Sequence, residues 1–262
     1  MAFFTSLYSG SSGNCSVVRC GQEYLMLDMG KSCRTTLNGL KELGLAVSDL
    51  KGILVTHEHT DHIQGLKVFL KHYNVPVYGK AATLEKLAEA DLVPPATELI
   101  AIQDRQEAIG SFGVHSFPTS HDVPCCGYRI QTEDGRTMTM ATDLGAITPE
   151  VHHALHGADL VALESNYDLN CLQMGRYPYQ LKRRIQSDRG HLDNAVCAAK
   201  VLELLQQGCK KFALCHLSRE NNTPDLALAT VRSAIQMAGI LPEKDVVIQA
   251  QKRSEPSDWM EF

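Results

Sequence analysis

The 262-residue chain has no apolar run able to cross a bilayer: stretches such as 52–55 and 158–163 fall far short of the roughly 20 residues a spanning helix needs. It also lacks a basic leader. Met1-Ala2-Phe3-Phe4-Thr5-Ser6 has no charged head ahead of its short apolar stretch, so a secretory signal is not expected. A disulfide framework is missing too. Nine cysteines (Cys15, Cys20, Cys33, Cys125, Cys126, Cys171, Cys197, Cys209, Cys215) fall without repeated spacing, the pattern of reduced thiols in a cytoplasm. Nor is positive charge in excess. Lys and Arg number 25 against 30 Asp and Glu, a net −5, which excludes a globally basic nucleic-acid binder and leaves that task to a local patch. No solenoid-length repeat or low-complexity linker divides the chain.

What is there is ordinary for a globular protein: 44% hydrophobic and 21% charged residues. One domain over 1–262 is expected. Residues 254–262 are expected to fray unless Trp259, Met260 and Phe262 dock on the domain or a partner. Apolar alternation and turn residues predict strands at 3–8, 15–19, 24–28, 52–56, 76–79, 98–102, 114–118, 127–132, 137–142, 160–164, 211–215 and 246–249. Helical spacing predicts helices at 32–43, 61–73, 81–90, 168–174, 179–185, 193–207 and 225–238. Strands grouped first, with helices between and after them, point to sheets covered by helices: an α+β fold in a four-layer αββα arrangement.

The chemistry concentrates in Thr56-His57-Glu58-His59-Thr60-Asp61-His62, directly after the apolar strand Ile53-Leu54-Val55. In an extended turn His57 and His59 share one side, and Asp61 and His62 in the following first helical turn can face it too. Glu58 falls between these positions and should point away. Imidazole and carboxylate together suit Zn²⁺, Mn²⁺ or Fe. A merely polar helix entrance would not gather three of the chain's eleven histidines into six positions.

This His-x-His-x-Asp-His segment after a strand resembles the signature of the metallo-β-lactamase superfamily. The rest of that superfamily's scattered ligand set has counterparts in order at Asp28, His121, Asp143 and His216. The resemblance implies two divalent metal ions. One would be held by His57, His59 and His121, the other by Asp61, His62 and His216, with Asp143 bridging and Asp28 orienting a ligand histidine. The segments 9–14, 164–168, 190–194 and 216–224 are similar to the YycJ/WalJ branch, bacterial nucleases of this fold viewed as DNA exonucleases. Ser218 and Asn221 would then contact substrate. Where that branch usually has Ser, this chain has Asp193, and either residue caps a helix.

Phosphodiester hydrolysis needs a hydroxide nucleophile, charge neutralisation at the phosphate and a proton for the leaving oxygen. Two metals would supply the first two, a bound hydroxide attacking the phosphorus. Asp61 is the candidate to orient the water or take its proton. His191 is the candidate acid, and Glu164 would raise its pKa against the lowering effect of a helix N-terminus, as a similar pairing does in RNase Z. Ser11, Ser12 and Asn14 lie in a loop whose backbone N–H groups can cradle phosphate. Residues 176–189 carry Arg176, Lys182, Arg183, Arg184 and Arg189 against Asp188 alone, a local +4 with Tyr177 and Tyr179 available for stacking. The expected substrate is nucleic acid, DNA before RNA. A glyoxalase II-like thioester or lactone hydrolase is the alternative, and it has no need of that basic segment.

Overall fold

A computed structural model of the chain describes residues 1–103, 105–241 and 246–262. Two seven-stranded sheets lie face to face between helices. The first contains β1 (Ala2–Tyr8), β2 (Cys15–Cys20), β3 (Glu23–Leu27), β4 (Leu50–Leu54), β5 (Val77–Gly79) and β6 (Leu99–Ala101), with β14 (Met260–Glu261) against β1. The second runs β13-β12-β11-β10-β9-β8-β7. Its members are β7 (Glu107–Ile109), β8 (Phe112–Thr119), β9 (Cys125–Thr132), β10 (Thr137–Ala141), β11 (Leu160–Glu164), β12 (Lys211–Cys215) and β13 (Val247–Ala250). In each sheet an antiparallel set (β1–β3, β7–β10) passes into a parallel one (β3–β6, β10–β13).

The period-2 alternation of the strands produces this layering. In β3, Leu25 and Leu27 enter the core between the sheets, while Tyr24 and Met26 face α1 (Cys33–Glu42), α3 (Leu66–Leu70) and α4 (Ala81–Glu89). In β12, Ala213 and Cys215 enter the same central core, and Phe212 and Leu214 face α5 (Pro149–Leu155), α8 (Asn194–Gln206) and α9 (Pro224–Met237). Three apolar cores between four layers make the αββα sandwich expected from the sequence. Each fully buried Leu or Phe there contributes about 1.5–3 kcal/mol. Caps fix where the helices begin: Thr148 and Thr223 accept from backbone N–H groups three residues on, each ahead of a proline in the first turn, and Asp193 caps α8.

Three expectations are corrected. The helix predicted over 61–73 is two pieces, α2 (Thr60–Ile63) and α3, parted at Gln64 and Gly65. Gly65 donates to Met29 O, and a methyl group there would stand 2.1 Å from Lys31 O, so the chain must bend around that strand end. The short edge strand β7 was not foreseen. The C-terminal segment does not fray but takes the docking course, β14 pairing with β1 while Met260 and Phe262 are buried. All nine cysteines are free thiols. No helix among the described residues is long and apolar enough to cross a membrane.

Candidate metal centre

The seven residues proposed as ligands, with Asp28 and Glu164, come from six strand ends on one edge of the sandwich. Asp28 follows β3, 57–62 follow β4, His121 follows β8, Asp143 follows β10, Glu164 ends β11 and His216 follows β12. Asp28, Asp143 and His216 each take left-handed backbone, with φ of 63°, 57° and 56°. For a residue with a Cβ that conformation costs about 1–2 kcal/mol, and such strain persists where the surroundings over-determine it. The loops also interlock closely. A methyl group on Gly30 would stand 1.6 Å from Asp61 O, and Asn14 N and Met29 N donate to Asp61 O and His62 O.

The sequence-predicted ligands converge. The donor atoms of His57, His59 and His121 lie within 4.8 Å of one another, as do those of Asp61, His62 and His216, and those of His57, His62 and Asp143. Asp143 stands in the middle: its Oδ2 is 3.4 Å from His62 Nε2, and its Oδ1 is 3.6 Å from His216 Nε2 and 4.0 Å from His121 Nε2. Asp143 Oδ2 and His216 Nε2 are buried without a hydrogen-bond partner. Buried polar atoms are rarely left so, and nitrogen and oxygen donors around such a gap fit a divalent cation.

The far nitrogens of the histidines are held. His62 Nδ1 donates to Asp28 Oδ2 at 2.8 Å, while Thr56 donates its N–H to Asp28 Oδ1 and its hydroxyl to Asp28 Oδ2, both at 2.9 Å. His121 Nδ1 donates to Gly190 O at 3.2 Å. Glu164 Oε1 accepts from both His216 Nδ1 at 2.7 Å and His191 Nδ1 at 2.8 Å, and its Oε2 accepts from the N–H groups of Leu144 and Leu192. Fixing one nitrogen in this way presents the other to the centre.

Burial opposes charge on His62, but Asp143, Asp28 and Asp61 outweigh it and raise its pKa to about 9. His216 goes the same way: burial is overcome by Asp143, Asp61 and Glu164, and its pKa rises well above the usual range. His57 runs opposite, lowered by burial and then by four neighbouring histidines. Glu164 is held well below the usual carboxylate range because His191 and His216 offset its burial. His191 is raised, the Glu164 carboxylate beating burial. His191 stands just ahead of α8 and meets Glu164 directly.

The predicted substrate-binding residues divide. Ser11 and Ser12 are exposed, whereas Asn14 is buried among the ligands, 3.1 Å from His62 Nε2 and 3.5 Å from Asp61 Oδ2. The basic segment follows α6 (Leu169–Met174) and forms α7 (Tyr179–Ile185) and the loop beyond, which reaches the His121 side. Arg189 donates to His121 O, Arg184 pairs with Asp122, Lys182 donates to Gln173 O, and Arg176 and Arg183 are exposed. Ser218 and Asn221 are both buried and hydrogen-bonded to each other in the loop after His216. Two participants escaped the sequence reading. Thr56 sits between Asp28, His57 and His62; its place beside His57 at a strand end was the available signal. Asp122 lies 3.5 Å from His59 Nε2 and 3.2 Å from His121 Nε2, and nothing but adjacency to His121 marked it.

Comparison with known proteins bears on this arrangement. Residues 27–216 match the model of the β-lactamase superfamily domain. The chain is similar to the exodeoxyribonuclease YycJ of Bacillus anthracis, 34% identical with 90% of each chain covered. It is also similar to the exodeoxyribonuclease WalJ of Streptococcus pneumoniae, 31% identical with 90% of this chain and 89% of that one covered. Among solved structures, the metallo-β-lactamase fold protein YhfI of Bacillus subtilis shares the fold with a TM-score of 0.73 at 19% identity, 98% of each chain being covered.

Proposed function

The chain belongs to the β-lactamase superfamily, and from that premise we propose that it is a metal-dependent phosphodiesterase that trims DNA from an end. One observation carries the reading: two sets of three nitrogen and oxygen donors flank Asp143, with the His191–Glu164 pair beside them. His57, His59 and His121 would hold one divalent cation, and Asp61, His62 and His216 a second, with Asp143 between them. Zn²⁺ and Mn²⁺ suit this set best, and Fe is compatible. Such ions supply an acidified water and neutralise phosphate charge.

The remaining work falls to the chain's own groups. His191, kept charged by Glu164, gives a proton to the leaving oxygen. Glu164 orients His191 and His216 through one oxygen, so the acid and a ligand share a brace. Asp61, whose Oδ2 lies 3.6 Å from His62 Nε2 and 3.7 Å from His216 Nε2, orients the attacking water. Arg176 and Arg183 on the exposed basic segment meet the phosphate backbone. The exodeoxyribonuclease names of the two relatives support DNA as the polymer.

The test is purified protein reconstituted separately with Mn²⁺ and Zn²⁺ and offered end-labelled duplex DNA, RNA and a generic thioester. Progressive shortening of the DNA is expected. Thioester cleavage with intact nucleic acid would overturn the reading in favour of a glyoxalase II-like hydrolase.

A further inference from the structure

Three cations far apart in sequence gather around the Gly10–Gly13 turn, beside His216. Arg184 and Arg189 attach to Asp122 and His121, beside His59. Lys31 and Arg253 flank instead the turn in which Gly13 N donates to Gly10 O, and that turn leads into Asn14, which touches Asp61 and His62. Lys31 lies along one side of the turn: a methyl group on Gly13 would come within 2.5 Å of its Cγ. Arg253 lies along the other, its Nη1 2.8 Å from where a methyl group on Gly10 would stand. The two glycines, at φ of 148° and 144°, therefore leave room for the cations as well as shaping the turn. Lys31 Nζ donates to Arg253 O at 2.9 Å, and Arg253 Nη2 donates to Leu217 O at 2.9 Å, next to His216 and two residues before the exposed Arg219.

Among the described residues neither Lys31 nor Arg253 makes a salt bridge. Arg253 Nη1 has no hydrogen-bond partner. Glu220, the carboxylate that reaches Arg253 electrostatically, is itself paired with Arg219 at 3.8 Å. Burial first, and then Arg219, lowers the pKa of Arg253; burial and Arg253 do the same to Lys31. Like charges held together in this way are relieved by an anion. The tip of the turn between them offers two exposed hydroxyls, Ser11 and Ser12.

We propose that Lys31, Arg219 and Arg253, arranged around the Gly10–Gly13 turn with Ser11 and Ser12, seat a phosphate of the substrate strand on the His216 side of the centre. The assignment rests on the phosphodiesterase reading above and adds to it a second phosphate contact. A strand lying across the centre is then held at two places, by this seat and by Arg183 and its neighbours in the segment 176–189. The phosphate is either the one next to the scissile bond or the one ending the strand, since both present the same oxygens.

The experiment compares wild-type protein with Lys31→Gln, Arg219→Gln and Lys31→Gln/Arg219→Gln. The two probes are an oligonucleotide with and without a 5′-terminal phosphate, and a small chromogenic phosphodiester that has only one phosphate. Equilibrium binding of the oligonucleotide is followed against salt. Each lost contact should flatten the slope of log affinity against log salt by about 0.7, so the double variant should lose about 1.4. Its preference for oligonucleotide over the small diester, as the ratio of kcat/KM values, should fall at least tenfold. A loss with both oligonucleotides assigns an internal phosphate, and a loss confined to the phosphorylated one assigns the terminal phosphate. An unchanged slope and ratio in both single variants, while the wild type cleaves the oligonucleotide, overturns the seat and leaves the phosphodiesterase reading intact. A wild type that cleaves neither probe with Mn²⁺ or Zn²⁺ overturns the phosphodiesterase reading itself.

Discussion

The two ends of the same strands obey different rules. Strands β3, β8 and β10 each begin at a turn where glycine takes positive φ: Gly21 at 60°, Gly110 at 56° and Gly135 at 80°. At the opposite ends stand Asp28, His121 and Asp143, and two of these three take the same left-handed backbone while carrying a side chain. At Gly21 and Gly135 nothing stands within 4 Å of a would-be methyl group, whereas Asp28 and Asp143 are pressed into a cluster of charges. One edge adopts left-handed backbone with the residue that does so at least cost. The other adopts it with residues that place a carboxylate in that cluster, where the surrounding contacts over-determine the strained backbone.

Substitutions can break this comparison, and the strongest should come from the strand-end edge. His191→Ala is expected to slow turnover about a hundredfold or more while elemental analysis still finds the wild-type complement of metal. Unchanged rates would remove His191 from the chemistry. Next comes Asp28→Asn, which weakens the hold on His62 and should lower cation affinity about 10–100-fold, read by competition with a chelating dye. The same titration has a pH signature. With its pKa raised to about 9, His62 is charged at neutral pH in the cation-free chain, and its Nε2 proton must leave for a cation to bind. Affinity should therefore climb at least tenfold per pH unit from about pH 7 and level off only near the folded pKa. In Asp28→Asn the levelling should begin at lower pH, because one of the carboxylates that raise His62 is gone. The smallest effect isolates backbone strain. In urea unfolding of cation-free protein, Asp143→Gly should be about 1 kcal/mol more stable than Asp143→Ala, and Gly135→Ala less stable than wild type by a similar amount. Equal stabilities at 143 would mean that no strain is stored at that strand end.

The sequence made the centre legible because its residues are chemically rare and their order along the chain follows the strand ends. His57–His62 announces itself within six positions, and His121, Asp143 and His216 each follow an apolar alternating stretch that predicts a strand. Helix α7 was readable to the residue from its helical spacing. What stayed hidden depended on contacts between distant segments. The break at Gly65 answers to Lys31 O, and β7 is three edge residues with little alternation to show. Thr56 looks like any strand threonine until Asp28 approaches it. That Ser218 and Asn221 are buried and bonded to each other depends on how the loop after His216 folds, which no local pattern shows. Lys31 and Arg253 stand 222 positions apart, so no local pattern joins them.

The C-terminal segment does more than end the chain. Along the outer side of β1, Ser6 N donates to Gln251 Oε1, Thr5 Oγ1 donates to Ser257 O, Ser9 N donates to Lys252 O, and Phe262 N donates to Ala2 O. These bonds occupy a backbone rim that would otherwise lie open beside Phe3, Phe4 and Leu7, the kind of template on which sheets of separate molecules join. The last dozen residues thus act as a selvedge for the first sheet. Trimming them would show itself first as loss of solubility, with molecules adding to one another edge to edge.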